Sequence, residues 1–239
     1  MKIALIGYGK MGHAIEQAAT KRGHEVVLRI TSANRHEMDA AHLGQADVAI
    51  EFTRPESGRE NVIKCLAAGI SVVSGTTGWN EHLPDAYAAT DAHNVALLHA
   101  SNFSVGVNIF FEVNKLLASL MSGHSEYETV IEETHHTQKK DAPSGTAITI
   151  AEQMITNLRR KNHWVLNNTD APDAIPIIAH REENVPGTHK VTYSSPIDSI
   201  DIIHTAHNRD GFALGAVLAA EYICGKKGVF HMKDVLGIK

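Results

Sequence analysis

Ile3-Ala4-Leu5-Ile6 runs directly into Gly7-Tyr8-Gly9-Lys10-Met11-Gly12. A short, wholly apolar run suits a strand buried on both faces. Glycines at this spacing let the backbone turn tightly and open a helix packed closely against that strand. Few folds accommodate this combination. The same alternation continues for a hundred residues. Val26-Val27-Leu28, Val48-Ala49-Ile50, Ile70–Ser74 and Val95–Leu98 read as strands. Helical segments separate them, the first reaching about Arg22 before Gly23, another passing through Val62, Ile63, Leu66 and Ala67 to Gly69. Repeated strand–helix units predict an α/β fold, a Rossmann-type doubly wound parallel sheet with right-handed crossovers.

The pattern changes after residue 104. Residues 104–122 read as a long apolar helix, Tyr127–Thr134 as a strand, and a further helix reaches about Lys161 with Ala147, Ile150, Ala151, Met154 and Leu158 on one face. Three strand-like runs follow without intervening helices, Ile175–His180, Lys190–Ser194 and Ile200–His207. Strands in direct succession predict a second α+β domain on an open mixed sheet. A last helix from Arg209 to Gly225 returns to the first domain. The expected division is 1–104 with 209–239 for dinucleotide binding, and 105–208 for substrate binding and oligomerisation.

Composition narrows the function by exclusion. A net charge of -5 gives no electrostatic support for nucleic-acid binding. The two cysteines, Cys65 and Cys224, suggest neither a disulfide framework nor a metal site, as expected in a reducing cytoplasm. The opening strand has no basic segment before it and no long apolar run, which argues against a secretion signal or membrane span. Adjacent histidines rarely share one ion, so no metal is expected.

The glycine loop, Gly7 to Gly12, lies where a pyrophosphate would rest on a helix N-terminus. Lys10 either adds charge near the phosphates or is a solvated lysine at the helix start. The acid that usually follows the second strand and binds a ribose hydroxyl is missing; Arg29-Ile30-Thr31-Ser32-Ala33-Asn34-Arg35 stands there. Hydroxyls at Thr31 and the charge of Arg35 tolerate a 2′-phosphate, so the cofactor expected is NADPH or NADH, with a lean to NADPH. Two further loops follow strand ends. Gly75-Thr76-Thr77-Gly78 offers hydroxyls and close backbone, and Ala100-Ser101-Asn102-Phe103 offers Asn102 to a nicotinamide amide. Each also reads as a plain turn.

Residues 132–146, Glu-Glu-Thr-His-His-Thr-Gln-Lys-Lys-Asp-Ala-Pro-Ser-Gly-Thr, carry the chemistry. His135 and His136 sit at a strand end and point to opposite faces, so one suits proton transfer and the other substrate contact. An unperturbed imidazole titrates near pH ~6.5 and supplies a proton at neutral pH. Lys139 neutralises a carboxylate or donates a proton. Ser144 reads as an N-cap, with Gly145 and Thr146 in the first turn of the helix, a place for an anion. A polar loop that merely caps a helix is the plainer alternative.

His135–Ala147 resembles the central motif of the 4-hydroxy-tetrahydrodipicolinate reductase (dihydrodipicolinate reductase) family. Glu51–Glu56, Gly75–Gly78, Asn102–Val107 and Gly228–Leu236 follow in the family's order, so the resemblance spans nearly the whole chain. It implies reduction of a cyclic dicarboxylate imine by NAD(P)H in the diaminopimelate route to lysine, by a cytoplasmic homotetramer assembled through second-domain sheets. It also implies that His135 is the proton donor or acceptor and Lys139 a second donor. His136, Gly145 and Thr146, with Ser144 at the same helix start, bind substrate, and Thr77 lies near both ligands. Cofactor contacts fall at Gly7–Gly12, Gly75–Thr77, Ala100–Phe103 and Arg209. The chain is short for the family, and His231 stands where an aspartate is common. Two other readings share the architecture: a different nicotinamide-dependent dehydrogenase, and a nucleotide-sensing regulator that would not need the His-Lys-Ser-Gly-Thr cluster.

Overall fold

The alternating first hundred residues build a single sheet in the computed structural model, which describes residues 1–238. Its strands are β1 (Lys2–Ile6), β2 (Glu25–Ile30), β3 (Val48–Glu51), β4 (Ser71–Ser74) and β5 (Ala96–His99). Helices α1 (Lys10–Lys21), α2 (Ala40–Leu43), α3 (Pro55–Ala67) and α4 (Leu83–His93) connect them. Helix α5 (Val105–Met121), strand β6 (Glu128–His135), helix α6 (Gly145–Asn157) and strands β7 (His163–Leu166), β8 (Ala174–Arg181), β9 (Gly187–Ser194) and β10 (Ser199–Ala206) follow. The chain ends with α7 (Asp210–Ile223), β11 (Gly228–Phe230) and α8 (Met232–Val235).

Contacts divide the chain into two units, residues up to Val105 with those from Arg209 onward, and Gly106–Asn208. The first contains a six-stranded sheet in the order β11-β5-β4-β3-β1-β2, each neighbouring pair parallel. Ile3 to Ile6 and Val48 to Ile50 are at most 1% exposed, which is why these strands are continuous apolar runs. One face packs on Ile15 and Ala19 of α1 and on Ala213, Val217 and Ala220 of α7. The other face packs on Leu43, Val62, Leu66 and Ala86. The chain passes from β1 to β2 on one side and then to β3 on the other, so the carboxyl ends of β1 and β3 flank the point where the winding reverses. Ligands bind there in sheets of this kind.

The second unit has a mixed sheet, β10-β9-β6-β8-β7, antiparallel across β10, β9 and β6 and parallel across β6, β8 and β7. Helices α5 and α6 bury Phe110, Phe111, Ile150 and Met154 against Ile131, Ile177, Val191 and Tyr193.

Several boundaries differ from the sequence expectation. Helix α6 stops at Asn157 rather than near Lys161, because Leu158 turns to extended backbone (φ -98°, ψ 98°) and drops its side chain into the core. Arg160 then donates to the carbonyls of Met121 and Tyr127, and Lys161 to that of Pro172. Strands β7 and β11 were not expected. Both are short edge strands, of four and three residues, with too few positions to show a period.

Candidate active site

In the first unit the three loop glycines have different jobs. Gly7 has φ +96°, and a Cβ there would lie 2.0 Å from the Phe52 carbonyl oxygen. A Cβ on Gly12 would meet the Gly7 oxygen at 2.5 Å, so these two glycines let β1, β3 and α1 close together. A Cβ on Gly9 would meet nothing within 4 Å. Gly9 is also the N-cap of α1, without a side-chain cap and with no acidic residue in the first turn. The positive end of the helix dipole therefore faces open space. A cavity of about 580 Å³ opens beside it, lined by Gly7, Tyr8 and Gly9, by Thr31, Ser32 and Arg35 after β2, and by Phe52, Thr53 and Arg54 after β3. Two arginines and no carboxylate line this space. Arg35 also donates to Glu60 at 2.6 Å, and the Tyr8 hydroxyl to Glu16, which Arg29 holds from the other side. Lys10 is exposed, and Met11 packs partly on the core. These residues fit a dinucleotide: an open helix start, a middle glycine with room before it, and a cavity without negative charge.

A buried acid braces the loops that follow β3 and β4. Glu51, 0% exposed at the end of β3, accepts hydrogen bonds from Thr53 Oγ1, from Ser74 Oγ at 2.8 Å and from Thr76 Oγ1 at 2.8 Å. Burial holds its carboxyl above the usual range despite those donors. Thr76 also accepts the Thr53 N–H at 2.8 Å, so its hydroxyl serves the fold rather than a ligand. Thr77 is exposed, and Gly75 is required because a Cβ would sit 2.2 Å from the Phe52 ring. Asn102 accepts the Ser104 N–H at 2.9 Å. Phe103, expected at the cofactor, has its ring in the core, 2% exposed and 5.5 Å from that of Phe52. Only its backbone can meet a ligand. Ala100 is half-buried; Ser101 and Arg209, the latter just before α7, are exposed.

In the second unit, strand alternation buries His135, the last residue of β6, and the next residue, His136, is half-buried. Beyond them the loop makes a turn, with Lys139 N–H donating to the His136 carbonyl at 3.0 Å and Lys139 Nζ 2.8 Å from Asp141. Burial opposes ionisation of Asp141, but the Lys139 hydrogen bond and charge hold its carboxyl below the usual range. The Ala142–Pro143 peptide is cis. Ser144 caps α6, its Oγ accepting the Ala147 N–H at 3.1 Å. Its own N–H donates to both oxygens of Glu133 at 3.1 Å. Ser144 is 3% exposed, so, contrary to its expected role at the substrate, its polar groups are taken up inside the fold. Thr146 is 9% exposed, whereas a Cβ on Gly145 would meet nothing within 4 Å, leaving room at the helix start.

The ordinary titration expected of His135 does not hold. Burial pushes its pKa down to about 4, and the Glu133 charge only partly restores it. His189, invisible to the sequence reading, stands 5.1 Å away, ring centre to ring centre, and burial pushes it down to about 3. Ligand atoms of Glu133, His135 and His189 fall within 4.8 Å of one another. Arg181 Nη2 lies 3.4 Å from Glu133, so a fixed cation already balances this carboxylate.

Family models described as dihydrodipicolinate reductase, N-terminus, and dihydrodipicolinate reductase, C-terminus, match residues 1–103 and 106–236. The chain belongs to the dihydrodipicolinate reductase family. A 4-hydroxy-tetrahydrodipicolinate reductase from Christiangramia forsetii is 49% identical over 237 residues, covering 99% of this chain and 98% of that one. One from Neisseria meningitidis serogroup B is 32% identical and covers 100% of this chain and 98% of its own. A dipicolinate-bound dihydrodipicolinate reductase from Paenisporosarcina sp. TG-14 has the same fold, with a TM-score of 0.74 at 21% identity over 97% of each chain. As a member of the dihydrodipicolinate reductase family, the chain is an NAD(P)H-dependent oxidoreductase of the diaminopimelate route to lysine. This disposes of the regulator and of a dehydrogenase of another kind.

Three polar residues of this reductase's second unit escaped the sequence reading: Glu133, Arg181 and His189. Glu133 had a signal, since it lies two residues before His135 on a strand and so shares its face. Arg181 and His189 had none, because they reach β6 only through sheet register.

Proposed function

We propose how this chain's residues divide the work of reducing 4-hydroxy-tetrahydrodipicolinate to tetrahydrodipicolinate. Overall, a hydride and a proton are added and water leaves. NAD(P)H, when bound, supplies the hydride. Gly7–Gly12 hold its pyrophosphate on α1, with Thr31 and Arg35 toward the adenosine ribose and Thr77, Ala100, Ser101, Asn102 and the Phe103 backbone toward the nicotinamide end. Arg209 belongs to the same set. The cofactor lean is to NADPH, supported by the two arginines and the lack of a carboxylate in the cavity.

His135 transfers the proton and Lys139 is the second donor. His136, Gly145 and Thr146 hold the substrate carboxylates, helped by the positive end of α6. His135 is neutral in the ligand-free protein, and a dicarboxylate beside it raises its proton affinity. The observation carrying this reading is the meeting of His135, Arg181 and the start of α6 around one buried carboxylate, Glu133, with Arg181 also donating to the Lys139 carbonyl at 3.4 Å.

The test is NAD(P)H oxidation with substrate formed in situ from pyruvate and aspartate semialdehyde. Replacing His135 by Ala should lower kcat about 10²–10⁴-fold while nucleotide binding survives. Near-normal turnover would refute the assignment. A strong NADH preference, measured as kcat/KM, would reverse the cofactor reading.

We also place the enzyme in the cytoplasm as a homotetramer joined through second-unit sheets. Strand β10 lies at a sheet edge with Ile200 and Ile203 39% and 58% exposed, and α5 shows Ile109, Val113, Leu116 and Leu120 at helical spacing, all at least 44% exposed. No helix among the described residues is long and apolar enough to cross a membrane.

A further inference from the structure

A carboxylate removed from water costs several kcal/mol unless it is matched by donors and positive charge. Glu133 is 0% exposed. Sheet register explains how it is matched. On β9, His189 is its direct cross-strand partner; on β8, Arg181 is paired with His135. Strands β9, β6 and β8 are neighbours, so three strands deliver four polar side chains to one spot. The Ser144 N–H and Arg181 Nη2 occupy part of the carboxylate. Its Oε2 also faces His135 Nδ1 at 3.6 Å and His189 Nε2 at 3.8 Å. His135 Nδ1 is buried with no hydrogen-bond partner, and the Glu133 carboxylate faces it. On the other side of the ring, Gly187 leaves the space that a Cβ would fill 3.1 Å from Nε2.

We propose that Glu133 is a positioning residue for proton transfer: its carboxylate holds the proton of His135 on Nδ1 as the acceptor facing that N–H, so that the Nε2 nitrogen is left to exchange a proton with substrate, and through the Ser144 N–H it fixes that ring relative to the start of α6. The proposal rests on His135 being the proton-transfer group. A carboxylate on one imidazole nitrogen sets the tautomer and orientation of the ring and stabilises the imidazolium when the other nitrogen is protonated. Glu133 raises the proton affinity of His135, while His189, Lys139 and Arg181 around it do not help and Asp141 adds a smaller favourable charge. His189, pressed against Ser144 Oγ at 3.3 Å and neutral, completes the wall without competing for the proton.

The first measurement needs no variant. Nitrogen-15 spectra of the histidine-labelled full-length enzyme at pH 7 should show His135 neutral with its proton on Nδ1; a proton on Nε2 overturns the proposal. The second compares Glu133→Gln with wild type. Turnover should fall on the order of 100-fold, nucleotide KM should stay within about twofold, and the His135 titration should move to lower pH. Glu133→Asp, which keeps the charge, should recover part of the titration shift. Lost turnover with an unmoved tautomer and titration would mean a merely structural carboxylate, which overturns the proposal. His135→Gln separates the two levels. If it retains kcat, the role of His135 itself fails. If it loses kcat while Glu133→Gln turns over normally, only the role of Glu133 fails.

Discussion

Solvation decides how His135 behaves. The same imidazole that titrates near neutrality in water is pushed to about 4 here, and His189 to about 3, because charging either one removes a cation from water. The consequence for stability has a definite sign. The unfolded chain, with ordinary histidines, binds more protons than the folded one between pH ~6.5 and about 4, so stability is complete above pH ~6.5 and declines as the pH falls through that window. Urea midpoints measured from pH 7.5 to 4 should show this decline, at up to about 1.4 kcal/mol per pH unit for each group. In His189→Gln the decline should be shallower; an unchanged slope would mean that His189 stays solvated. Lys139, 2.8 Å from Asp141, is the proposed second donor. Lys139→Ala should lower kcat and raise the KM for substrate together, and an effect on folding stability alone would return it to a structural role. His135, Lys139 and Ser144 were legible because their types and spacing lie within fifteen residues of sequence. What Ser144 does was not, because its N–H is taken by a carboxylate that only the folded strand presents.

The glycine loop shows how one element combines packing with open space. Its spacing identified it, but three glycines in a motif do not announce which is needed for what. Contact distances separate them. Gly7→Ala puts a methyl 2.0 Å from the Phe52 oxygen at a left-handed φ, and should destabilise the protein by on the order of 3 kcal/mol or more. Gly9→Ala meets no atom, and should cost under about 1 kcal/mol in stability while weakening nucleotide binding about tenfold or more, since the methyl enters the space before the helix start. Thermal unfolding and nucleotide titration of the two variants should therefore give opposite rankings. If both lose stability equally, the loop is only a packing device. Longer elements were read well because period and caps repeat along them. The short edge strands β7 and β11 were missed because they pair on one side only, with too few residues to alternate.

The proposed assembly rests on the second unit as a whole. The apolar stripe on α5 and the exposed isoleucines of β10 are separate in sequence, and neither looks unusual alone. Together they give that unit six exposed large apolar side chains, the kind of surface a subunit contact would cover. Sedimentation should give a tetramer for the wild type. Ile203→Asp, at a position 58% exposed, should shift the enzyme to smaller species without unfolding it. A monomeric wild type would sink the tetramer, and an unaffected variant would remove β10 from the interface.

Local order and local chemistry were written in the chain: the alternating strands and helices, the glycine turn that needs a helix behind it, the adjacent histidines, the lysine and the cap. Such features depend on neighbours within a few residues, and period, propensity and residue type report on those directly. The environment of His135 was decided only by tertiary structure. Glu133, Arg181 and His189 meet because β6, β8 and β9 lie side by side in one register, and the pKa of His135 follows from the water that this arrangement excludes. Register and desolvation are properties of the packed sheet, so they have no signature in any single stretch of sequence.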